Sequence, residues 1–171
     1  GVDVRDMTQK ELRDKLGYVP QKGVLFSGTI DSNIRYGKPE ITDAQVKEAA
    51  EVAQATEFID TKPEKYESPV SQGGTNVSGG QKQRLSIARA IAKDPEIFIF
   101  DDSFSALDFK TDSQLRKALK EYTKDATTVI VAQRISTILG ADQIIVLDDG
   151  HMAGIGTHKE LMANCEVYQQ I

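Results

Sequence analysis

The sequence has few of the features that stabilise secreted proteins or anchor proteins in membranes. Its 171 residues include one cysteine, Cys165, so no internal disulfide can form and a reducing compartment fits the composition. No apolar run approaches the roughly 18 residues that a membrane helix needs. The first residues, GVDVRDMTQKEL, have neither the basic region nor the apolar core of a signal peptide.

Positive charge is also in the minority. Lys and Arg number 21 against 26 for Asp and Glu, which gives a formal net charge of -5. Proteins that bind nucleic-acid backbones need a basic face, so we expect no nucleic-acid partner. The chain is long enough for one domain with a real core, and no internal repeat stands out.

Short apolar strands alternate with amphipathic helices along the chain. Thr8, Thr42 and Ser78 each stand three residues before Glu or Gln, the capping-box pattern that starts a helix. We predict strands at 16–19, 97–100, 127–132 and 143–147. This alternation predicts an α/β fold with a parallel sheet, in which strands 97–100 and 127–132 are buried on both faces.

The remaining segments are predicted as turns, a hairpin and a closing helix. Residues 22–40 and 61–77 are rich in turn-forming residues and favour loops. Asp149-Gly150 is typical of a tight turn, after which 152–155 returns as a hairpin strand. The chain closes with one helix near 157–170.

The segment NVSGGQKQR, residues 76–84, indicates an anion site. Ser78, Gly79 and Gly80 lie where Gln81 helps to open a helix, so free backbone amides and the helix dipole face outward. Two glycines let a phosphate approach the backbone closely. The alternative is an ordinary glycine turn before a well-capped helix.

The segment IFIFDDSFSALD, residues 97–108, places two carboxylates directly after an apolar strand. Asp101 is placed where an aspartate would bind Mg²⁺. The alternative is that its carboxylate only caps the next turn. Asp102 stands where a catalytic base or water-positioning group belongs, and Gln133 follows the next strand. Since parallel strands end at one edge of a sheet, we expect Asp101, Asp102 and Gln133 to converge.

Together these motifs resemble the nucleotide-binding domain of ATP-binding cassette (ABC) transporters over the whole chain. NVSGGQKQR resembles the signature motif, IFIFDD the Walker B strand, and YVPQ, ending at Gln21, the Q-loop. LFSGTIDSNIRYG and GTHKEL resemble the exporter branch, and SPVSQGG resembles the exporter X-loop. SALD resembles the D-loop, formed by Ser105, Ala106, Leu107 and Asp108.

The resemblance implies a P-loop NTPase (RecA-like) core with a helical insert. Residues 1–30 would be partial core with the Q-loop, 31–92 the helical subdomain with X-loop and signature, and 93–171 core with Walker B, D-loop, switch and C-terminal helix. It implies ATP and Mg²⁺ as cofactors. It also implies a place at the cytoplasmic face of the cell membrane, against the coupling helices of a transmembrane domain.

The resemblance also assigns site residues. Asp101 and Gln21 would hold Mg²⁺, and Gln21, Asp102 and Gln133 would serve hydrolysis. In this family two nucleotide domains dimerise head to tail around two ATPs. Each signature therefore contacts the ATP of the other domain, here through Ser78, Gly79, Gly80 and Gln81.

One departure from the family is the phosphate loop, G-x-x-x-x-G-K-[ST], which the sequence lacks. Gly37-Lys38 is followed by Pro39, and position 32 is not glycine, so this segment is no substitute. We expect the chain to be the C-terminal part of a larger domain, with an apolar gap where a core strand is missing. Alone, it should bind ATP poorly.

Two further departures lie in the site. Asp102 replaces the family's catalytic glutamate and is one methylene shorter, which withdraws its carboxylate by over an ångström. Gln133 replaces the switch histidine and cannot become cationic. The same pair of changes occurs in one half of heterodimeric ABC exporters, which implies a slow site here and a homologous half-transporter as partner.

Two other functions compete with this interpretation. A non-transport ABC ATPase, acting in DNA repair or on the ribosome, has the same signature and Walker B motifs. The exporter-like segments and the acidic balance favour transport. A regulatory domain that binds nucleotide without turnover is compatible with Asp102 and Gln133, whereas the intact signature favours service to a partner's site.

Overall fold

The computed structural model describes residues 1–171 and contains two compact units, Gly1–Val131 and Ala132–Ile171. Seven strands occur along the chain, five of them in the first unit and two in the second. They are β1 (Leu16–Val19), β2 (Gly28–Thr29), β3 (Pro69–Val70), β4 (Ile97–Asp101), β5 (Thr127–Val131), β6 (Ile144–Asp148) and β7 (His151–Gly156).

Nine α-helices accompany these strands, together with three short 3₁₀ turns at Val4–Asp6, Lys65–Glu67 and Gln72–Gly74. The helices are α1 (Gln9–Asp14), α2 (Ile30–Ile34), α3 (Asp43–Val52), α4 (Thr56–Asp60), α5 (Gly79–Ala92), α6 (Phe109–Tyr122), α7 (Ile135–Ile138), α8 (His158–Asn164) and α9 (Glu166–Gln170). No helix has both the length and the apolar character needed to cross a membrane.

The three predicted capping boxes are present at Thr8, Thr42 and Ser78. Two more occur at Thr29 and Thr157. In each box, the hydroxyl oxygen of the capping residue accepts a hydrogen bond from the backbone amide of the third helical residue. The side chain of that third residue accepts a hydrogen bond from the backbone amide of the capping residue. A cap of this kind typically contributes about 1 kcal/mol to stability. Local sequence therefore fixes where these helices begin.

The first unit is built around a parallel sheet of three strands in the order β1-β4-β5. Val19 pairs with Phe100, and Asp101 pairs with Val131, so β4 lies in the centre. The predicted α/β class with a parallel sheet is confirmed. The strands end at a common edge, which is where ligands bind in sheets of this type.

The expectation that strands 97–100 and 127–132 are buried on both faces is wrong. In β4, Phe98 and Phe100 are buried while the alternate residues are partly exposed, and β5 is largely exposed. Side chains alternate between the faces of a strand, and the parallel register aligns Tyr18, Ile99 and Val129 on the same face. Tyr18 and Val129 are about half exposed, which leaves this row of apolar surface open.

The segment between β1 and β4 has more structure than its turn residues indicate. Residues 22–40 contain β2 and α2, and residues 61–77 contain β3, which pairs antiparallel with β2. Ile30 and Ile34 on α2 are fully buried in the core. Tertiary burial thus stabilises a helix of five residues that would be too short to persist alone.

The second unit has its own small core. A turn at Asp149 and Gly150, both with positive φ, joins β6 to β7 in an antiparallel hairpin, as Asp-Gly predicts. Ile144, Leu161 and Tyr168 are buried between hairpin and helices, with Cys165 and Val146. The single helix predicted at 157–170 is wrong: extended backbone at Cys165 divides it into α8 and α9.

Candidate functional site

The Q-loop glutamine and the Walker B aspartates meet at the carboxyl edge of the parallel sheet. Gln21 follows the end of β1, and Asp101 is the last residue of β4. The Gln21 Nε2 donates a hydrogen bond of 3.1 Å to Asp102 Oδ2. The structure therefore brings Gln21 together with Asp101 and Asp102, from which it is separated by about eighty residues of sequence.

Asp101 is held from the neighbouring strand by a residue that the sequence analysis missed. The Tyr18 hydroxyl donates to Asp101 Oδ2 at 3.0 Å. This hydrogen bond to the Asp101 carboxylate raises the pKa of the Tyr18 hydroxyl above its usual value. Strand periodicity contains the signal, because Tyr18 pairs with Ile99, which is two residues before Asp101 and on the same face.

Asp102 has an unusual backbone that its neighbours hold in place. Its φ of 45° lies in the left-handed region, which is uncommon for residues other than glycine. The Asp102 amide donates to the Val131 carbonyl at 2.9 Å, and the Ser105 hydroxyl donates to the Asp102 carbonyl at 3.1 Å. The site carboxylate thus projects from a short, well-bonded turn rather than from the strand itself.

Ser103 is a second residue that the motif analysis did not select. It is fully buried, and its hydroxyl donates to the Val19 carbonyl at 2.7 Å. This bond joins the turn after β4 to the end of β1, within the Q-loop motif. The sequence around Ser103, which stands between Asp102 and Phe104, gives no signal for this role, because the partner of Ser103 lies on another strand.

The signature segment is an exposed helix start. Ser78 is the N-cap of α5: its Oγ accepts from the Gln81 amide at 3.2 Å, and its own amide donates to Gln81 Oε1 at 3.1 Å. A Cβ added at Gly79 would meet nothing within 4 Å. At Gly80 it would lie 3.6 Å from the Ala106 carbonyl, an ordinary contact. The capped helix start therefore presents open backbone to its surroundings.

The D-loop, residues 105–108, connects the turn after β4 to α6. Asp108 is the N-cap of α6 and accepts from the Thr111 amide at 3.0 Å. Hydrogen bonds from Thr111, first from its backbone, lower the pKa of the Asp108 carboxyl below its ordinary value. Leu107 packs against the core, and Ser105 and Ala106 are exposed. The D-loop is thus an exposed turn anchored at both ends.

Arg84, which follows the signature on α5, supports the helical region. Its guanidinium donates to the Gln54 carbonyl at 2.7 Å and lies 4.8 Å from the centre of the Phe58 ring. Burial lowers the pKa of Arg84. Arg84 therefore joins the turn between α3 and α4 to α5.

The X-loop-like segment forms an ordered turn. Gly73 and Gly74 both have positive φ, which glycine adopts without strain. The Ser71 amide donates to Asn76 Oδ1 at 3.0 Å, and Asn76 Nδ2 donates to the Pro69 carbonyl at 2.8 Å. These bonds close the turn on itself and leave Gln72 exposed.

Gln133 belongs to the second unit, two residues after the end of β5. Its side chain is exposed. Its convergence with Asp101 and Asp102 stays a prediction.

The residues at the sheet edge fit a Mg²⁺ site of the kind that phosphates complete. Mg²⁺ prefers oxygen ligands and is commonly held by one or two carboxylates together with substrate phosphates. Asp101 supplies a carboxylate. The side-chain oxygen of Gln21 can also serve as a ligand, because only the nitrogen of this amide is used in the hydrogen bond to Asp102. No three His, Cys, Asp or Glu side chains gather as an all-protein metal cage.

Comparison with known proteins places this architecture in a family. The fold is the α/β fold of the P-loop NTPases, and the family model for the ABC transporter domain matches residues 1–105. The chain belongs to the ABC transporter family. The resemblance drawn from the signature, Walker B and Q-loop sequences is therefore confirmed.

Similar proteins include two groups of bacterial relatives. An uncharacterized ABC transporter ATP-binding protein of Mycobacterium bovis is 46% identical over 99% of this chain and 29% of its own length. A Staphylococcus aureus protein, named for multidrug export as an ATP-binding/permease protein, is 44% identical over 100% of this chain and 30% of its own.

A solved structure shows the same fold. The bacterial Atm1-family ABC exporter with ATP bound superposes with a TM-score of 0.94 and 39% identity, over 99% of this chain and 30% of that chain. The chain thus spans about 30% of the length of the proteins that it matches.

Proposed function

We propose that the chain is part of the ATP-binding domain of an ABC exporter. ATP-dependent pairing with a homologous half-transporter would drive export across a membrane. The observation that carries the proposal is the 3.1 Å hydrogen bond from Gln21 to Asp102, beside Asp101 at the end of β4. It joins a Q-loop amide to the carboxylate beside Walker B at the edge where α/β sheets bind ligands.

The proposed parts follow the motifs. Residues 1–30 form partial core with the Q-loop, 31–92 the helical subdomain, and 93–171 the remaining core with the switch at Gln133. The X-loop turn and the helical subdomain face the coupling helices of a transmembrane domain at the cytoplasmic side of the membrane. Names of relatives that combine an ATP-binding part with a permease support this arrangement.

In the chain's own site, Asp101 and Gln21 would hold Mg²⁺, which would neutralise charge on the phosphates. Gln21 also orients Asp102 through its side-chain amide. Asp102 accepts a proton from the attacking water poorly, because its carboxylate is one methylene short of a glutamate's. Gln133 donates a hydrogen bond to a phosphate oxygen without adding charge. We propose that this site retains ATP and hydrolyses it slowly.

The signature segment of this chain acts at the ATP site of the partner. Ser78 and the open amides at Gly79 and Gly80 bind the phosphates of ATP held by the partner, and Gln81 keeps the helix start capped. Ala106 and Leu107 of the D-loop lie beside Gly80, and the D-loop, Ser105 to Asp108, completes the same surface. The exposure of this helix start supports its action on a ligand outside the chain.

Ser78→Arg in the complete transporter tests this function. A long cationic side chain at the N-cap blocks the phosphate position and removes the cap, so ATP turnover should fall by about 100-fold. Ser113→Arg, the same change at an exposed position of α6, should leave turnover unchanged. Unchanged turnover in Ser78→Arg would refute the role of the signature.

The 171-residue chain by itself should bind ATP poorly. It contains no G-x-x-x-x-G-K-[ST] sequence, so the backbone cradle and lysine that hold the β- and γ-phosphates are absent from it. Isothermal titration calorimetry should give a Kd for ATP with Mg²⁺ weaker than about 1 mM. Micromolar binding by these residues would contradict the prediction.

A further inference from the structure

Gln83 is a buried amide that the proposed mechanism does not use. It lies on the second turn of α5 and its side chain is 1% exposed. Its Nε2 donates to the Pro20 carbonyl at 3.0 Å, and its Oε1 accepts from the Gly23 amide at 2.8 Å. Both ends of the side chain therefore bond the same irregular segment, as buried polar groups must be satisfied.

The two partners of Gln83 flank the Q-loop glutamine. Pro20 precedes Gln21, and Gly23 follows it by two residues. Gly23 lies so close to α5 that an added Cβ would come within 2.8 Å of the Lys82 carbonyl oxygen. Arg89, further along α5, donates to the Val24 carbonyl at 2.9 Å. The segment that holds Gln21 is thus attached to α5 along its length.

Two adjacent carbonyls mark where this attachment begins. The Val19 carbonyl accepts from Ser103, in the turn after β4, whereas the Pro20 carbonyl accepts from Gln83 on α5. The chain therefore changes its supporting element between residues 19 and 20. Gln21 extends from the α5 side of this point and bonds Asp102, which belongs to the turn after β4.

We propose that Gln83 is a positioning residue, which ties Gln21 to the signature helix so that the state of the signature sets the position of Gln21. This inference rests on the proposed function, since it gives Ser78 and Gln21 the roles described above. Ser78 and Gln83 lie on one continuous helix, so a displacement of the helix start by a partner's nucleotide is carried to Gln83. The two bonds of Gln83 then carry it to the Gln21 segment.

Gln83→Met in the complete transporter tests the tie, because methionine fills a similar volume without either hydrogen bond. We expect kcat for ATP to fall by about tenfold, with the KM for ATP within about twofold of wild type, since catalytic geometry is lost and nucleotide contacts are not. Hydrogen exchange of the peptide that carries Gly23 should become at least about tenfold faster. Its response to ATP with Mg²⁺ should also disappear.

Gln114→Met makes the same change at an exposed position of α6 and should alter none of these values. Gly23→Ala is the second variant: it leaves Gln83 intact but displaces the segment from α5, so the same loss of kcat without a change in KM is expected. It decides the question if Gln83→Met does not fold. Wild-type kcat despite fast exchange at Gly23, or a rise in KM alone, would overturn the inference.

Ser78→Arg separates this inference from the function on which it rests. If Ser78→Arg abolishes turnover and Gln83→Met turns over normally, the function stands and only the tie is wrong. If Ser78→Arg has no effect, the proposed function itself fails.

Discussion

The two halves of the candidate site are built in opposite ways. At the sheet edge, Asp101 and Asp102 are bonded to other side chains of the same chain, through Tyr18 and Gln21. At the start of α5, Gly79 has no neighbour within 4 Å of a potential side chain. In the first region, side chains of the same chain already hold the carboxylates in place. In the second region, the helix start is capped by its own residues, and its backbone is open to a ligand from outside the chain. The chain therefore has the parts to contribute to two different sites.

Gly79→Asp should disable the outward-facing half, and we expect it to reduce ATP turnover more than any other change proposed below. A carboxylate at this position would repel a phosphate, so we expect ATP turnover by the complete transporter to fall by at least about 100-fold. The fold should be unharmed, because the position has space and an acidic residue in the first helical turn is favourable. Turnover and the melting temperature should be measured on the same preparation.

Ser113→Asp is the matched control for Gly79→Asp, since it adds the same charge at an exposed position of α6. It should change neither turnover nor melting temperature. A melting temperature that falls together with turnover in Gly79→Asp would indicate that Gly79 is needed for folding rather than for a ligand outside the chain.

Asp102→Glu should increase the activity of the inward-facing half, and its effect should be smaller. The longer side chain restores the reach of a catalytic carboxylate. Total ATP turnover should therefore rise about twofold, because the chain's own site would then hydrolyse ATP as well as the partner's site. Adding Gln133→His should raise it further. Asp125→Glu, the same change in an exposed turn before β5, is the control. Equal turnover in wild type, single and double mutants would refute the degenerate site.

Asp108→Asn should have the smallest effect and should appear only in acid. The folded-state pKa of Asp108 is lowered, so its charge contributes stability that is present above its ordinary pKa of about 4 and is lost as pH falls through the folded value. Asparagine keeps the N-cap without the charge. Melting temperatures from circular dichroism should therefore differ at pH 7 and converge near pH 2.

A constant difference between wild type and Asp108→Asn from pH 7 to pH 2 would show that charge at the D-loop does not matter to stability. Asp125→Asn provides the control for removing one exposed carboxylate elsewhere. The comparison tests whether the D-loop end is anchored as firmly as its hydrogen bonds indicate.

Much of this architecture could be predicted because it depends on residues near one another in the chain. Ser78 and Gln81 close a capping box, Asp149 and Gly150 make a tight turn, and the apolar run before Asp101 forms a strand. Each of these structures is decided within a few residues by backbone conformation and hydrogen bonding. The sequence alone therefore indicated the family motifs and the order of the elements.

Only the tertiary structure decided which side chains support those motifs. Tyr18, Gln83 and Ser103 each bond a partner that is more than sixty residues away in the sequence. The exposure of β5 and the burial of α2 likewise depend on which surfaces are covered. Local sequence determined the motifs, and long-range packing decided their support, since burial is a property of the folded chain and not of a short segment.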